Sequence, residues 1–255
     1  MVAVTSLSLF MTDEGLVHNH IALFLQGCNE YLSYGLPGAV NVSAEEWSLE
    51  VSKVVAAQFG IYMLAAHSIL LSIWDLFFTA LSWPLSRVAS THIGMFIGMG
   101  SKEGAKSTAF RLLLVTWVGE VVLILVTLRF SKELASVFTI SEDITQVVVL
   151  LIPYLALHQF ADGTQVVCSG IFWALGRQQD LAVYNLTAYW ACSLPLGCLL
   201  AFVFDMELKG LWIAFIVAIS LESIFLLVKV LAVDWDEEIL KAKENALVLE
   251  DQFGD

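Results

Sequence analysis

The chain has 255 residues, 58% of them hydrophobic, with a mean hydropathy of +0.79 and a formal net charge of −13. So apolar a composition over this length excludes a soluble domain and indicates an integral membrane protein, and the negative balance excludes a nucleic-acid partner. The cysteines, Cys28, Cys168, Cys192 and Cys198, are spaced like neither a disulfide framework nor a metal site.

Residues 1–30 read as a non-spanning leader. They contain no Lys or Arg, Asp13 and Glu14 break the apolar runs, and Val2–Met11 is too short to span and lacks the basic flank of a secretory signal. A first span is expected from Leu36 to Phe59, although it holds Glu45, Glu46, Glu50 and Lys53, and Gly60 marks the turn after it. The second runs from about Leu64 through Asp75, Pro84 and Arg87 to Gly100. After a polar connection with Lys102, Glu103 and Lys106, the third covers Leu112 to Leu128 with Glu120 inside it. An acidic loop with Glu142 and Asp143 precedes the fourth, Ile144 to about Trp173. The fifth, Leu181 to Phe204, contains no Asp, Glu, Lys or Arg, and the sixth runs from Gly210 to about Val233 around Glu222.

The fold class is therefore an all-α polytopic membrane helix bundle, with a six-helix domain over 31–233. Residues 234–255 hold eight acids with only Lys241 and Lys243, and read as a solvated, acidic cytosolic tail. An even number of spans puts both termini on one side. Placing them in the cytosol gives that side Lys102, Lys106, Arg111, Arg177, Lys229, Lys241 and Lys243 against Arg129, Lys132 and Lys209 outside, as the positive-inside rule requires. The sequons at Asn41 and Asn185 fall within or beside predicted spans, where glycosylation is not expected.

The fourth span carries the chemistry. Asp162 is a carboxylate within lipid-spanning sequence, by default a functional position. Tyr154, His158, Asp162, Gln165 and Ser169 recur at i, i+4, i+8, i+11 and i+15 and so share one helix face. His158, one turn from Asp162, could share its proton; the plainer alternative is that Asp162 only hydrogen-bonds within the bundle. On the fifth span Asn185, Tyr189 and Ser193 form a second polar face, which either lines the same cavity or packs helices. Trp74, Trp83, Trp173 and Trp190 suit either a cavity for organic cations or an interfacial belt. Glu120 and Glu222 match no motif and are assigned to packing or to a misplaced span boundary.

The ordered set Pro153-x8-Asp162, Gly176-Arg177-Gln178, Asn185, Tyr189-Trp190, Leu194-Pro195-Leu196-Gly197 and Gly210-Leu211-Trp212 resembles the C-terminal part of eukaryotic multidrug and toxic compound extrusion (MATE) transporters. YLSYGLPGAVNVSAEEWSLEV, from Tyr31, is similar to that family's seventh helix. AAHSILLS and VASTHIGMFIGMG are similar to its eighth, and Val233 to Glu237 to the acidic, Trp-containing segment after its twelfth. By this resemblance Tyr31 to Trp235 form one complete C-lobe of a twelve-helix transporter, without the N-terminal six helices.

The resemblance implies a secondary antiporter exporting organic cations or other xenobiotics in exchange for protons, or for Na+, with no cofactor and no covalent chemistry. It implies that Asp162 binds substrate and the coupling cation. It matches Glu45 and Glu50 to the family's two glutamates, although they lie roughly 140° apart on a helix of 3.6 residues per turn, whereas Glu46 and Glu50 share a face. Lys53, three residues on, can neutralise Glu50 in a structural ion pair. Asp75 stands near an acidic position of the eighth helix. His92 and Met95 replace a family Arg and Asn, and Trp173-Ala174 replace Arg-Gly.

One lobe cannot supply alternating access alone, so a missing N-lobe or self-association is expected to be needed, in a plasma or vacuolar membrane. The alternatives are a transport-incompetent membrane subunit or degenerate fragment and, more weakly, a lipid flippase.

Overall fold

The computed structural model describes residues 35–253 together with Cys28 and Leu32, so the expected leader lies outside the described residues apart from Cys28. Among the described residues every regular element is a helix. These are α1 (35–57), α2 (Ile61–Gly98), α3 (Lys102–Arg129), α4 (Ser131–Phe138), α5 (Glu142–Ala174), α6 (Gln178–Val203), α7 (Glu207–Leu231) and α8 (Trp235–Phe253). Helices α2, α3, α5, α6 and α7 are long and apolar enough to cross a membrane. At ~1.5 Å per residue α1 is also long enough for a ~30 Å hydrocarbon core, but its charged residues set it apart. The chain is an integral membrane helix bundle.

Two helices are broken locally by proline. The π-helical turn Phe78–Ser82 in α2 stands just before Pro84, and the π-helical segment Thr187–Ser193 in α6 stands just before Pro195. Proline has no N–H to donate, and its ring crowds the carbonyl four residues back; a wider turn absorbs both effects without ending the helix. Gly60 and Gly176, at φ 101° and 70°, make the α1–α2 and α5–α6 turns in conformations that a side chain disfavours.

Helix α5 is the axis of the bundle, packed against α2, α3, α4 and α7. Small residues let its neighbours approach: Gly163 lies under the Glu120 side chain of α3, and Gly170 lies against the backbone of Ser86 on α2. The apolar core falls into two clusters. One gathers Ile73, Trp74, Leu151, Trp212 and Phe215; the other gathers Ile93, Leu113, Phe172, Leu226 and Trp235. Along each helix a set of buried polar residues comes between its contributions to the two clusters: Ser82 and Ser86 on α2, Thr116 and Glu120 on α3, Asp162, Thr164 and Gln165 on α5, Asn185 on α6, and Glu222 and Ser223 on α7. A polar layer thus crosses the middle of the bundle.

Three expectations change. Glu142 and Asp143, expected in a loop, form the first turn of α5, where carboxylates complement the helix dipole. The short helix α4, which buries Ala135, was not foreseen. The tail, expected from its charge to be solvated, is helical, and Trp235 and Ile239 pack into the second apolar cluster. Its Glu238 is buried against Arg177, and its Asp236 pairs with Lys102. Glu237, and then Glu238, hold the Lys241 ammonium above the usual lysine range.

Candidate functional site

A cavity of about 270 Å³ opens where α1, α2, α5 and α6 meet at the polar layer; its walls include Asn41, Glu45, Asp75, Phe78, Trp83, Gln165, Ser169, Trp173 and Asn185. Contacts to α6 fasten the middle of α1 in place. Tyr189 Oη donates to Glu45 Oε1 at 2.9 Å, and Trp190 Nε1 donates to the Ala44 carbonyl at 2.9 Å. Further along α1, Ser52 Oγ lies 2.8 Å from His67 Nε2 of α2. These bonds rotate α1 so that Glu45 enters the cavity wall.

Glu50 consequently points elsewhere. Its side chain is 64% exposed and pairs with Lys53 at 2.6 Å, so it does not join the cavity. Asp75 is exposed and lies in the cavity wall with Glu46.

Of the polar stripe on α5, Gln165 and Ser169 line the cavity and Tyr154 lies half-buried beside the first apolar cluster. Asp162 has no solvent exposure. Trp74 Nε1 donates to its Oδ2 at 3.0 Å, Oδ1 has no partner, and Glu45, Glu120 and Glu222 act on it electrostatically. His158 forms no hydrogen bond with Asp162. Its ring is instead boxed edge-on by Trp74, Trp212 and Phe215 at centroid distances of 6.3, 5.9 and 6.1 Å, with Nδ1 unpartnered.

Two carboxylates that sequence reasoning assigned to packing or to a misplaced span boundary sit in the same layer. Glu222 of α7 is buried next to Asn185. With its amide one way round, Asn185 accepts from Gln165 Nε2 at 2.9 Å; turned over, its nitrogen donates to Glu222 Oε1 at 2.5 Å, which leaves no amide oxygen facing that carboxylate. Glu120 of α3 accepts from Ser82 Oγ at 2.6 Å. Among the described residues the ion pairs join Lys53, Lys102, Arg177 and Lys241 to Glu50, Asp236, Glu237 and Glu238, so Asp162, Glu120 and Glu222 have no basic partner. A buried carboxylate in that position needs a proton or another cation to offset its charge. That rule applies to any acid in a span, and it was the available signal for Glu120 and Glu222.

The aromatic wall is occupied from within. The Arg87 guanidinium lies 5.0 Å from the Trp83 ring centroid and 5.1 Å from that of Trp173, a cation–π arrangement. A larger groove, about 800 Å³, lies between α3, α5 and α7; its lining is almost entirely apolar, and no carboxylate among the described residues reaches it.

Comparison with known proteins agrees with this architecture. Protein DETOXIFICATION 39 of Arabidopsis thaliana is 27% identical over 230 residues, covering 89% of this chain and 45% of that protein. Multidrug and toxin extrusion protein 1 of Mus musculus is 25% identical over 222 residues, covering 87% and 39%. The crystal structure of the eukaryotic MATE transporter AtDTX14 superposes with a TM-score of 0.80 at 25% identity, over 87% of this chain and 50% of that one. The bent form of the Vibrio cholerae MATE transporter VcmN, at 17% identity, shares the fold with a TM-score of 0.76. The chain spans about half the length of the curated relatives it matches. The MatE family model matches residues 37–199, which run from α1 through the cavity-lining residues, Glu120 and Asp162 into α6, and the chain belongs to that family.

Proposed function

We propose that this chain is the proton-coupled lobe of a secondary antiporter that exports organic cations or other small xenobiotics. The observation that carries the reading is Asp162: wholly buried, held by Trp74, without a basic partner, and in the polar layer beside a cavity walled by Glu45, Gln165 and aromatic rings. Proton uptake neutralises such a group and releases a bound cation; proton loss restores the charge that attracts one. Tyr189 holds Glu45 in the cavity wall, and Gln165 joins α5 to Asn185 of α6.

Transport then requires a second lobe, either an N-lobe or another copy, because alternating access rocks one repeat against the other around a site near the midplane. The end carrying Lys102, Arg177 and α8 faces the cytosol, in a plasma or vacuolar membrane. In proteoliposomes an acid gradient drives uptake of an organic cation, and Asp162→Asn abolishes it. Equal uptake by the variant removes Asp162 from the mechanism, and the same uptake driven by Na+ without a pH difference replaces the coupling ion.

A second reading, a membrane subunit that no longer transports, is favoured by one specific observation. The Glu50–Lys53 pair neutralises one of the two glutamates that the family resemblance assigns to coupling. Under that reading the wild-type chain shows no gradient-driven uptake when reconstituted with or without a partner lobe.

A further inference from the structure

Glu120 lies in the polar layer but outside the cavity. Its residue is fully buried, with Ser82 of α2 donating to Oε1 at 2.6 Å and no partner on Oε2. Gln159 of α5, 2% exposed, turns its carboxamide toward Glu120, yet neither Nε2 nor Oε1 completes a hydrogen bond. Room for this arrangement comes from Gly163, since a Cβ there would stand 2.8 Å from Glu120 Cδ.

The charged surroundings are sparse. From α5 the carboxylate beside this contact is Asp162, one residue before Gly163. From α2 comes the Ser82 hydroxyl; Asp75 on that helix lies in the cavity wall, and Arg87 lies over Trp83 and Trp173. Among the described residues no Lys, Arg or His pairs with Glu120.

We propose that Glu120, with Ser82 and Gln159, forms a second proton-binding site, separate from the cavity, which α2 couples to Asp162. Helix α2 holds both carboxylates, through Trp74 to Asp162 and through Ser82 to Glu120, and the π-helical turn Phe78–Ser82 follows the first donor and ends on the second. Turns of this kind recur at functional sites.

As a carboxylate, Glu120 only accepts. On taking one proton from water it gains an O–H donor, so Ser82 and Gln159 must reorient around it; release returns the proton to water, and no other bond forms or breaks. Because Ser82 is the last residue of the π turn, that reorientation is transmitted along α2 to Trp74. The available oxygens come from one carboxyl, one amide and one hydroxyl, too few to replace the hydration shell of a metal cation, whereas a proton needs one. This site stands whether or not the chain transports.

Infrared difference spectroscopy tests it on the full chain in lipid nanodiscs, following the C=O stretch of protonated carboxyl groups as pH is stepped. Glu120→Gln is expected to remove one titrating carboxyl. Asp162→Asn is expected to leave that carboxyl present but displaced along the pH axis, and Ser82→Ala to displace it without removing it. A Glu120→Gln titration that overlays the wild type overturns the site, and an unshifted Glu120 band in Asp162→Asn overturns the coupling. If Glu120→Gln loses its helical circular dichroism, Ser82→Ala decides: a spectrum identical to wild type overturns the proposal. Replacing Na+ by choline should leave the band unchanged, and a band that changes with Na+ overturns the assignment to a proton.

Discussion

Replacing Gly163 by alanine probes the contact on which the polar layer depends. A Cβ at 163 would lie 2.8 Å from Cδ and 2.9 Å from Cγ of Glu120, with the carboxylate oxygen Oε1 nearer still. The outer half of the Glu120 side chain covers the glycine, so rotating its tip gives little relief. That tip is also held by Ser82 at 2.6 Å and enclosed on all sides. Overpacking of this kind costs about 1–3 kcal/mol. Against it stands the helix propensity gained by Gly→Ala in a helix interior, about 1 kcal/mol, so the net effect ranges from near zero to a loss of about 2 kcal/mol. The decisive quantity is the coupling.

In a Glu120→Ala background the obstacle is gone, and only the propensity gain should remain. Gly163→Ala should then stabilise by up to about 1 kcal/mol, a change of about 1–3 kcal/mol between the two backgrounds. Reversible denaturant unfolding in mixed micelles, read by helical circular dichroism on the four proteins of the cycle, measures it. An equal effect of Gly163→Ala in both backgrounds would refute the packing of α3 on α5 described above.

The other predictions concern α1, the tail and the aromatic wall. Tyr189→Phe removes the hydroxyl bonded to Glu45 at 2.9 Å and leaves a half-buried acceptor unpaired, so the same unfolding assay should show a loss of about 1–3 kcal/mol. Arg177→Ala leaves Glu238 buried, with Lys241 at 3.4 Å as its remaining partner. Helix α8 should then become more accessible to limited proteolysis, and unchanged protection would mean that Trp235 and Ile239 hold it alone. Arg87→Ala uncovers the ring faces of Trp83 and Trp173. A quaternary ammonium probe followed by tryptophan quenching should bind a few-fold more tightly, since an exposed cation–π contact is worth ~0.5–1 kcal/mol; weaker binding would make Arg87 part of the binding surface rather than a competitor.

What could be read from the sequence alone is what depends on neighbours along the chain. Hydropathy places the five apolar spans because each crossing must be apolar over its own length, and the 3.6-residue period puts His158, Asp162, Gln165 and Ser169 on one face before any partner is known. Tertiary structure decided which members of those faces meet. Glu45, Glu46 and Glu50 are alternatives as long as α1 can rotate, and the bonds from Tyr189 and Trp190, more than 140 residues away, end that freedom. His158 belongs to an aromatic box rather than to Asp162, because Trp212 and Phe215 arrive from α7. Glu120 and Glu222 carry no motif, so their place became visible only when Ser82, Gly163 and Asn185 were brought against them. The tail's charge suggests solvation, yet Trp235 and Ile239 find an apolar cluster that exists only once α2, α3, α5 and α7 have assembled. Periodicity determines the face a helix can offer, and the energy of burying that face against helices distant in sequence determines where it points.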